Sequence, residues 1–306
     1  MKKFKLLFLS LLLISTIAFV ACSDDDNNKP TNSTIVDVAK SDPNFSSLVK
    51  ALSITGLDKA LENNTASFTV FAPTNQAFAD LLIELKLSSL NDVPKETLSG
   101  ILLYHVLGES KMAGSITTGY FNTLSAAPTD KSTLSLYIDM GTTMINKRAK
   151  ITDTDIKADN GVMHVINKVL LPQNIVDIAV TNPTFSILVA ALTKADLVTT
   201  LNGKGSFTVF APTDDAFKDL FKALKVSGIA DLSKEALTPI LLAHVVSGNV
   251  TSGQLTNGDV QTLNTTKKVK INTTGGVTID GNIKVVLANV QGSNGVVHVI
   301  DKVIVP

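Results

Sequence analysis

The sequence predicts two tandem domains of one mixed fold, in which helices come first and strands follow. The first observation is a repeated segment: residues 160–172 open with Asn-Gly, continue as an apolar run and end at proline, and residues 294–306 repeat this pattern. The second observation is a change of period within each repeat, from helical spacing of apolar residues to the alternation typical of strands. Because the repeat is roughly 140 residues long, it corresponds to a whole domain rather than to one unit of a solenoid.

The first residues are predicted to be a targeting segment rather than part of a domain. Lysines precede an apolar run at residues 6–20, which is short for a membrane-spanning helix. Ala21 and Cys22 follow, and this boundary, with the single cysteine of the chain, resembles a bacterial lipobox. We predict a lipoprotein signal peptide over residues 1–21 and acylation of Cys22. The alternative is an ordinary secretory signal with a chance cysteine.

The segment after Cys22 is polar and acidic as far as residue 33. This composition predicts a disordered tether over residues 22–33 that holds the folded part away from the bilayer. An acidic run directly after the cysteine also resembles the surface-export signals of some Gram-negative lipoproteins. We therefore expect a protein attached to the outer membrane through the lipid at Cys22 and facing the cell surface, with the periplasmic side as the alternative.

Composition and charge exclude one class of partner. The 306 residues, 44% of them hydrophobic, are enough to bury two ordinary cores. Lysine and arginine together number 27, aspartate and glutamate also number 27, and the basic residues form no stripe along the sequence. Nucleic acid is therefore not expected as a partner.

Three apolar faces at helical spacing recur in each repeat and predict three helices. In the first repeat their residues are Phe45, Leu48, Val49 and Leu52, then Phe78, Leu81, Leu82 and Leu85, and then Leu98, Ile101, Leu102 and His105. Thr74 lies where the N-cap of the second helix belongs. We expect the apolar face of this helix to be buried as far as Leu85 and, in the second repeat, Leu224. Pro239 predicts that the third helix of the second repeat begins late, with Thr238 as its cap.

The second half of each repeat contains most of the predicted strands. A short strand at residues 67–71 comes earlier, and residues 134–138 alternate between apolar and polar, which predicts a strand with one face in the core. Residues 160–172 are apolar almost throughout, which predicts a strand covered on both faces and closed by Pro172. Two or three residues separate Pro172 from the next repeat near Ile175, so we expect a restricted orientation between the domains.

Sequence boxes that occur twice resemble those of a known family. One is Thr-Val-Phe-Ala-Pro-Thr at residues 69–74 and 208–213, and another is Asn-Gly-Val-x-His-Val-Ile-x-Lys-Val at residues 160–169 and 294–303. Between them lies a helix that ends in histidine. Together these boxes resemble the fasciclin-like domain.

The resemblance covers almost the whole chain after the tether. It implies two tandem α+β domains, at residues 34–172 and 173–306, in each of which an N-terminal helical layer packs on a β-wedge of two sheets. It also implies extracellular adhesion or surface binding without catalytic activity. In animal members a Tyr-His pair is linked to receptor binding. That pair maps to Tyr104 and His105, a candidate binding site, whereas the second repeat has Ala243 before its histidine.

The four histidines occupy two matched positions per repeat, and their pattern favours neither catalysis nor metal binding. A catalytic base would need a nucleophile, and no Gly-x-Ser-x-Gly occurs; a metal site joining His105 to His164 lacks an HExxH or cysteine cluster to complete it. We therefore expect structural histidines, whose ring nitrogens bond to backbone groups. We expect no catalytic residue, no metal and no cofactor. These histidines are His105, His164, His244 and His298.

Two further expectations concern neighbouring residues. Since the second repeat has alanine in place of Tyr104, the tyrosine is expected to contribute less to stability than His105. Residues 146–148, Asn-Lys-Arg, and the pair Lys267-Lys268 are expected to lie in solvated turns.

The leading functional hypothesis is a surface-anchored, non-enzymatic adhesion or recognition lipoprotein that binds a glycan, a matrix component or a partner protein. The alternative is a structural accessory component of a cell-envelope assembly. An enzyme ranks third because the nucleophile and ligand sets are missing from the sequence.

Overall fold

The computed structural model describes residues 33–63, 65–128, 131–203 and 205–306. The predicted signal peptide, Cys22 and the tether as far as residue 32 lie outside the described residues. Within the described ranges, no single helix is long and apolar enough to cross a membrane. One pair of helices, at residues 175–181 and 183–194 and bent by 103°, has the required length and composition.

Five α-helices form in each repeat over the residues described. In the first they are α1 (Ile35–Ser41), α2 (Ser46–Thr55), α3 (Asp58–Leu61), α4 (Asn75–Leu85) and α5 (Lys95–Tyr104). In the second they are α6 (Ile175–Thr181), α7 (Ser186–Lys194), α8 (Val198–Asn202), α9 (Asp214–Leu224) and α10 (Lys234–Leu242). The predicted cap of α4 is present: Thr74 accepts a hydrogen bond from the N–H of Ala77, and Thr213 accepts one from the N–H of Ala216 in the same way on α9.

Seven strands form a sheet in each repeat. The first set is β1 (Phe68–Pro73), β2 (Val106–Leu107), β3 (Gly119–Ala126), β4 (Thr133–Asp139), β5 (Met144–Ile145), β6 (Ala149–Ala158) and β7 (Gly161–Ile166). The second set is β8 (Phe207–Pro212), β9 (Val245–Ser247), β10 (Gly258–Gln261), β11 (Lys268–Asn272), β12 (Thr278–Ile279), β13 (Ile283–Gly292) and β14 (Gly295–Ile300).

The repeated strands β7 and β14 lie in the interior of their sheets because both of their faces are apolar. The strand orders are β2-β1-β7-β6-β5-β4-β3 and β10-β11-β12-β13-β14-β8-β9. β7 runs parallel to β1 and antiparallel to β6. Met163 and Val165 pack into the helical layer, whereas Ile166 packs with Phe71 and Leu136 on the other side of the sheet. The α+β fold predicted from the sequence is confirmed.

β6 joins the two halves of the wedge. One end pairs with β7 and the other with β5, and the pairing with β7 shifts register at Ile151, Asp153 and Ile156. Bulges of this kind bend a strand and increase its twist, so the two halves of the sheet meet at an angle. β13 repeats both register shifts in the second domain.

The closing strand is shorter than the sequence predicts. β7 ends at Ile166, and residues 167–172 continue as irregular backbone although Val169 and Leu170 are buried. The backbone N–H of Leu170 donates to the imidazole of His105 instead of to a strand. An apolar run therefore does not distinguish a strand from a buried segment held by a side chain.

Two expectations about the helices are wrong. α10 begins at Lys234 with Ser233 as its cap, and Pro239 lies inside it. Leu237 and Leu241, on either side of the proline, are buried, so core packing keeps the helix continuous despite the missing N–H. Leu85 and Leu224 are 40% and 46% exposed, because each is the last residue of its helix and lies beyond the core.

Asn160 and Gly161 join the start of the domain to its end. Asn160 is buried; its Oδ1 accepts a hydrogen bond from the N–H of Ile35 at 2.9 Å, and its Nδ2 donates to the carbonyl oxygen of Leu61 at 2.6 Å. Asn294 makes the corresponding bonds in the second domain. The sequence pattern does not indicate this link to α1, because the two segments lie 125 positions apart.

Gly161 is required because β1 approaches it closely. A Cβ atom there would lie 2.0 Å from the carbonyl oxygen of Phe68, and the glycine has φ +148°. We expect Gly161→Ala to separate β1 from β7 and to lower the free energy of unfolding by about 3 kcal/mol. Chemical denaturation measures this loss. Gly114→Ala is the control, since a Cβ at Gly114 meets no atom within 4 Å; equal stability of the two variants would contradict the prediction.

Candidate functional site

His105 follows the last residue of α5 and lies in the core, with 2% of its surface exposed. Its Nδ1 lies 2.7 Å from the carbonyl oxygen of Ile101, and its Nε2 accepts a hydrogen bond from the N–H of Leu170 at 2.8 Å. Because Nε2 accepts, the ring proton is on Nδ1, which donates to Ile101. The imidazole ties the end of α5 to the segment after β7.

His244 repeats this arrangement in the second domain. Its Nδ1 lies 2.8 Å from the carbonyl oxygen of Ile240, and its Nε2 accepts from the N–H of Ile304 at 2.9 Å. Burial removes water from both imidazoles and lowers the pKa of His105 and of His244 to about 4, although the bond at Nδ1 acts in the opposite direction. Each ring is neutral at pH 7 with both nitrogens engaged, so neither offers a free base.

His164 and His298 are buried in β7 and β14. The Nε2 of His164 lies 2.9 Å from the carbonyl oxygen of Lys111, and its Nδ1 accepts from the N–H of Asp155 at 3.3 Å. His298 contacts Val250 and Asn289 in the same way, and burial lowers its pKa. The structure thus engages both ring nitrogens of all four histidines with backbone groups.

The histidines do not converge on a common point. The partners of His105 are in α5 and the segment after β7, whereas those of His164 are the loop after β2 and the bulge of β6. Among the described residues, no group of three or more His, Cys, Asp or Glu side chains could hold a metal ion.

Tyr104 is completely buried, with 0% of its surface exposed. Its hydroxyl donates to the carbonyl oxygen of Ser135 at 2.7 Å and accepts from Nδ2 of Asn146 at 3.0 Å. Burial raises the pKa of this phenol. In this conformation neither Tyr104 nor His105 can contact a ligand at the surface.

That Tyr104 contributes less to stability than His105 stays a prediction, but the position of Tyr104 indicates a substantial contribution. Truncation to alanine would remove a fully buried ring and leave the amide of Asn146 and the carbonyl of Ser135 without a partner. Ala243, in the second domain, is also buried, but an alanine cannot make these polar contacts.

The sequence predicts a solvated turn at residues 146–148, Asn-Lys-Arg. The segment is a turn and Lys147 is exposed, but the side chains of Asn146 and Arg148 are bonded to the fold. Asn146 is buried and accepts from the N–H of Tyr137 at 2.7 Å. Arg148 forms two hydrogen bonds with the carboxylate of Glu84 and donates from Nε to the carbonyl oxygen of Val169 at 2.8 Å. Positive φ angles at residues 146 and 147 form the tight turn that presents these side chains to the fold.

The two domains meet at the outer face of β3 and β4. Tyr120 enters the second domain, where its hydroxyl accepts from Nδ2 of Asn182 at 3.1 Å, and its ring centroid lies 5.0 Å from that of Tyr137. The N–H of Gln291 donates to Oγ of Ser135 at 3.0 Å. Ser135 and Tyr137 are buried for this reason, although their alternation in β4 predicted a solvent face.

This contact was missed from the sequence, but a signal for it exists. The chain has three tyrosines, and all of them, Tyr104, Tyr120 and Tyr137, are in the first repeat and close to the junction. The second repeat has no tyrosine. The restriction of tyrosine to the first repeat is therefore the sequence signal for a contact surface that the first domain has and the second lacks.

Two grooves flank the linker at Leu171 and Pro172. The first, of about 370 Å³, has mostly apolar walls. Its lining includes Leu85, Ile101, Pro128 and Leu134, with Glu96, Thr97, Ser125 and Ser293 as polar members. The second, of about 320 Å³, is lined by Asn146, Arg148, Gln173 and Asp177 in addition to the linker. Both are within the size range of sites for small ligands.

Comparison with known proteins gives matches to both repeats. The sequence profile of the fasciclin domain matches residues 43–172 and 183–306. Protein sll1483 of Synechocystis is 45% identical over 140 residues, which cover 43% of this chain and 73% of that protein. Transforming growth factor-beta-induced protein ig-h3 of Sus scrofa is 30% identical over 78% of this chain, and the match spans 35% of that longer protein.

Among solved structures, the chain is similar to a fasciclin domain pair from the insect cell adhesion molecule fasciclin I. The TM-score is 0.52 at 18% identity, over 85% of this chain and 97% of that chain. At this identity the similarity shows the fold.

The buried histidines predict that stability falls in mild acid. The pKa of His105 and of His244 is lowered from 6.5 to about 4, so the unfolded chain takes up these protons at a higher pH than the folded chain does. The stabilisation is complete above pH 6.5 and is lost as the pH falls towards 4, by up to about 3 kcal/mol for each imidazole. Thermal unfolding across this range measures the loss.

An NMR titration of the imidazole signals is the direct check on this prediction. We expect the signals of His105 and His244 to stay at their neutral positions at pH 5. Titration of either ring with an ordinary midpoint near 6.5 would contradict the prediction.

Proposed function

The chain belongs to the fasciclin domain family, and from this premise we propose that it is a non-catalytic adhesion and recognition protein. It binds a glycan, a matrix component or a partner protein at the cell surface, where a lipid at Cys22 anchors it. A solved structure with the same pair of domains comes from a cell adhesion molecule, which supports the proposal. The engaged ring nitrogens of the four histidines fit a role without catalysis.

The observation that carries the proposal is the fixed junction between the domains. A short linker, the inserted Tyr120 and the bond from Gln291 to Ser135 hold the two domains together. A rigid pair loses little conformational freedom when a ligand binds across it, which favours affinity. The grooves on either side of the linker are concave surfaces that this pairing keeps in shape.

Capture experiments with the fragment 33–306 test this role. We expect the fragment to bind a member of an immobilised panel of surface glycans and matrix proteins. Thr97→Arg introduces a long side chain into the larger groove and should weaken that binding at least about tenfold. Ala236→Arg is the matched control, because Ala236 is the third residue of α10 as Thr97 is of α5 and is likewise exposed.

Two outcomes would contradict the proposal. Equal binding by the Thr97→Arg variant and the wild type would place recognition away from the groove. Absence of binding in isolation, together with co-purification of the full chain with envelope proteins, would favour a structural accessory role in a cell-envelope assembly.

The anchor is tested separately. Cys22 is the single cysteine and follows an apolar run, and we expect Cys22→Ser to move the protein from the membrane fraction to the soluble fraction. Immunoblotting of fractionated cells, with accessibility to added protease as the measure of surface exposure, gives the result. A Cys22→Ser protein that stays with the membrane would refute acylation as the anchor.

A further inference from the structure

The register of the sheets identifies the same outer face in both domains. In the first domain Tyr120 of β3 lies opposite Tyr137 of β4. In the second, Asp259 of β10 lies opposite Lys270 of β11. The glycine before each pair, Gly119 or Gly258, lies opposite an isoleucine in both domains, so the two faces correspond residue by residue.

The two domains use this face differently. In the first domain the positions of Tyr120, Ser135 and Tyr137 carry no charge, and the second domain covers them, with Ser135 and Tyr137 buried. In the second domain Lys268 and Lys270 occupy the corresponding positions and are exposed. Because charged residues replace the aromatic contact, this face of the second domain is not suited to pack on another domain in the way that the first one does.

A third lysine extends the charge across the sheet. Lys284 of β13 lies opposite Thr278 of β12, which lies opposite Asn272 of β11, so Lys284 shares the outward side of Lys268 and Lys270. None of these three lysines forms an ion pair within the described residues. The nearby carboxylate of Asp280 is paired with Lys267 at 2.9 Å. Asp259 lies opposite Lys270, and the carboxylate of Asp301 accepts a hydrogen bond from the N–H of Lys284 at 2.7 Å. The three lysines outnumber these two carboxylates, so the net charge of the face is positive.

Two large aliphatic side chains lie near Lys284 on the same strand. Val286 and Leu287 are 58% and 44% exposed, and they come two and three positions after Lys284, at the bulge of β13. The first domain has the same bulge in β6, with Thr152 and Asp153 at the corresponding positions. The bulge itself therefore does not require apolar residues. The second domain thus presents two aliphatic side chains to solvent at a position where the first domain has polar residues.

We propose that this basic and apolar face, formed by Lys268, Lys270, Lys284, Val286 and Leu287, docks on an anionic membrane surface. The lysine ammonium groups contact lipid phosphates while their aliphatic stems lie along the interface, and Val286 and Leu287 enter the boundary between headgroups and acyl chains. An acidic polysaccharide would use the lysines but would leave the two aliphatic side chains without a function. Docking goes beyond recognition of a ligand, because it fixes the orientation of the second domain at a lipid surface.

Vesicle binding by the fragment 33–306 tests the proposal, since this fragment contains the whole described unit and lacks Cys22. We expect it to sediment with vesicles of phosphatidylcholine and phosphatidylglycerol but not with phosphatidylcholine alone, and the binding should weaken as salt rises. The double substitution Val286→Thr and Leu287→Asp installs the residues of the first domain at a bulge that accepts them. It should reduce binding at least about tenfold.

The control is Ile83→Thr. Ile83 is 76% exposed on α4 of the first domain, so this change removes an exposed aliphatic residue elsewhere, and binding should be unchanged. Equal binding to neutral vesicles, no binding to anionic vesicles, or unchanged binding by the double variant would each overturn the proposal. Binding to a soluble acidic polysaccharide that survives the double substitution and is lost in Lys268→Ser would reassign the face to a polyanion. Glycan or protein capture by the fragment does not depend on this face, so the two proposals fail independently.

Discussion

The parallel pairing of β1 with β7 is the contact on which the first domain depends. β7 contributes to both cores, on the helical side and on the wedge side, and Gly161 allows the backbone of β1 to approach it. Asn160, at the same end, holds α1 and α3 through its amide. One short segment therefore positions the helical layer and both halves of the sheet, and the second domain repeats it with β8 and β14.

The sequence predicts those elements of the fold in which apolar residues recur with a clear period. The helical faces and their threonine caps were predicted because side chains spaced by about 3.6 residues share a side of a helix. The end of the closing strand was not predictable, because Leu170 is as apolar as any strand residue and its bonding partner, His105, is distant in sequence. The late start predicted for α10 from Pro239 is wrong for a related reason. Burial of Leu237 and Leu241 in the core outweighs the tendency of proline to interrupt a helix.

The candidate site was predicted less well than the fold. The burial of the histidines and their bonding to backbone groups follow from their apolar neighbours, but the sequence does not indicate which backbone groups, because segments distant in the chain supply some of them. Tyr104 was judged by comparison with Ala243, and this comparison assumed that both repeats have the same surroundings. They do not, because the hydroxyl of Tyr104 bonds to Ser135 in β4, the strand whose outer face meets the second domain. The difference between Tyr104 and Ala243 marks a position at which the two domains have different neighbours.

The order of the strands also determines when each domain can fold. Phe68 pairs with Gly161, which lies 161 − 68 = 93 positions later in the chain. During synthesis β1 emerges well before β7, so the sheet of the first domain cannot close until the chain has appeared as far as Ile166. Until then, β1 has an unpaired edge in the place of its parallel partner, and such edges promote aggregation. Because long-range parallel pairing forms slowly, each domain of this protein folds late, only after its last strand has been made.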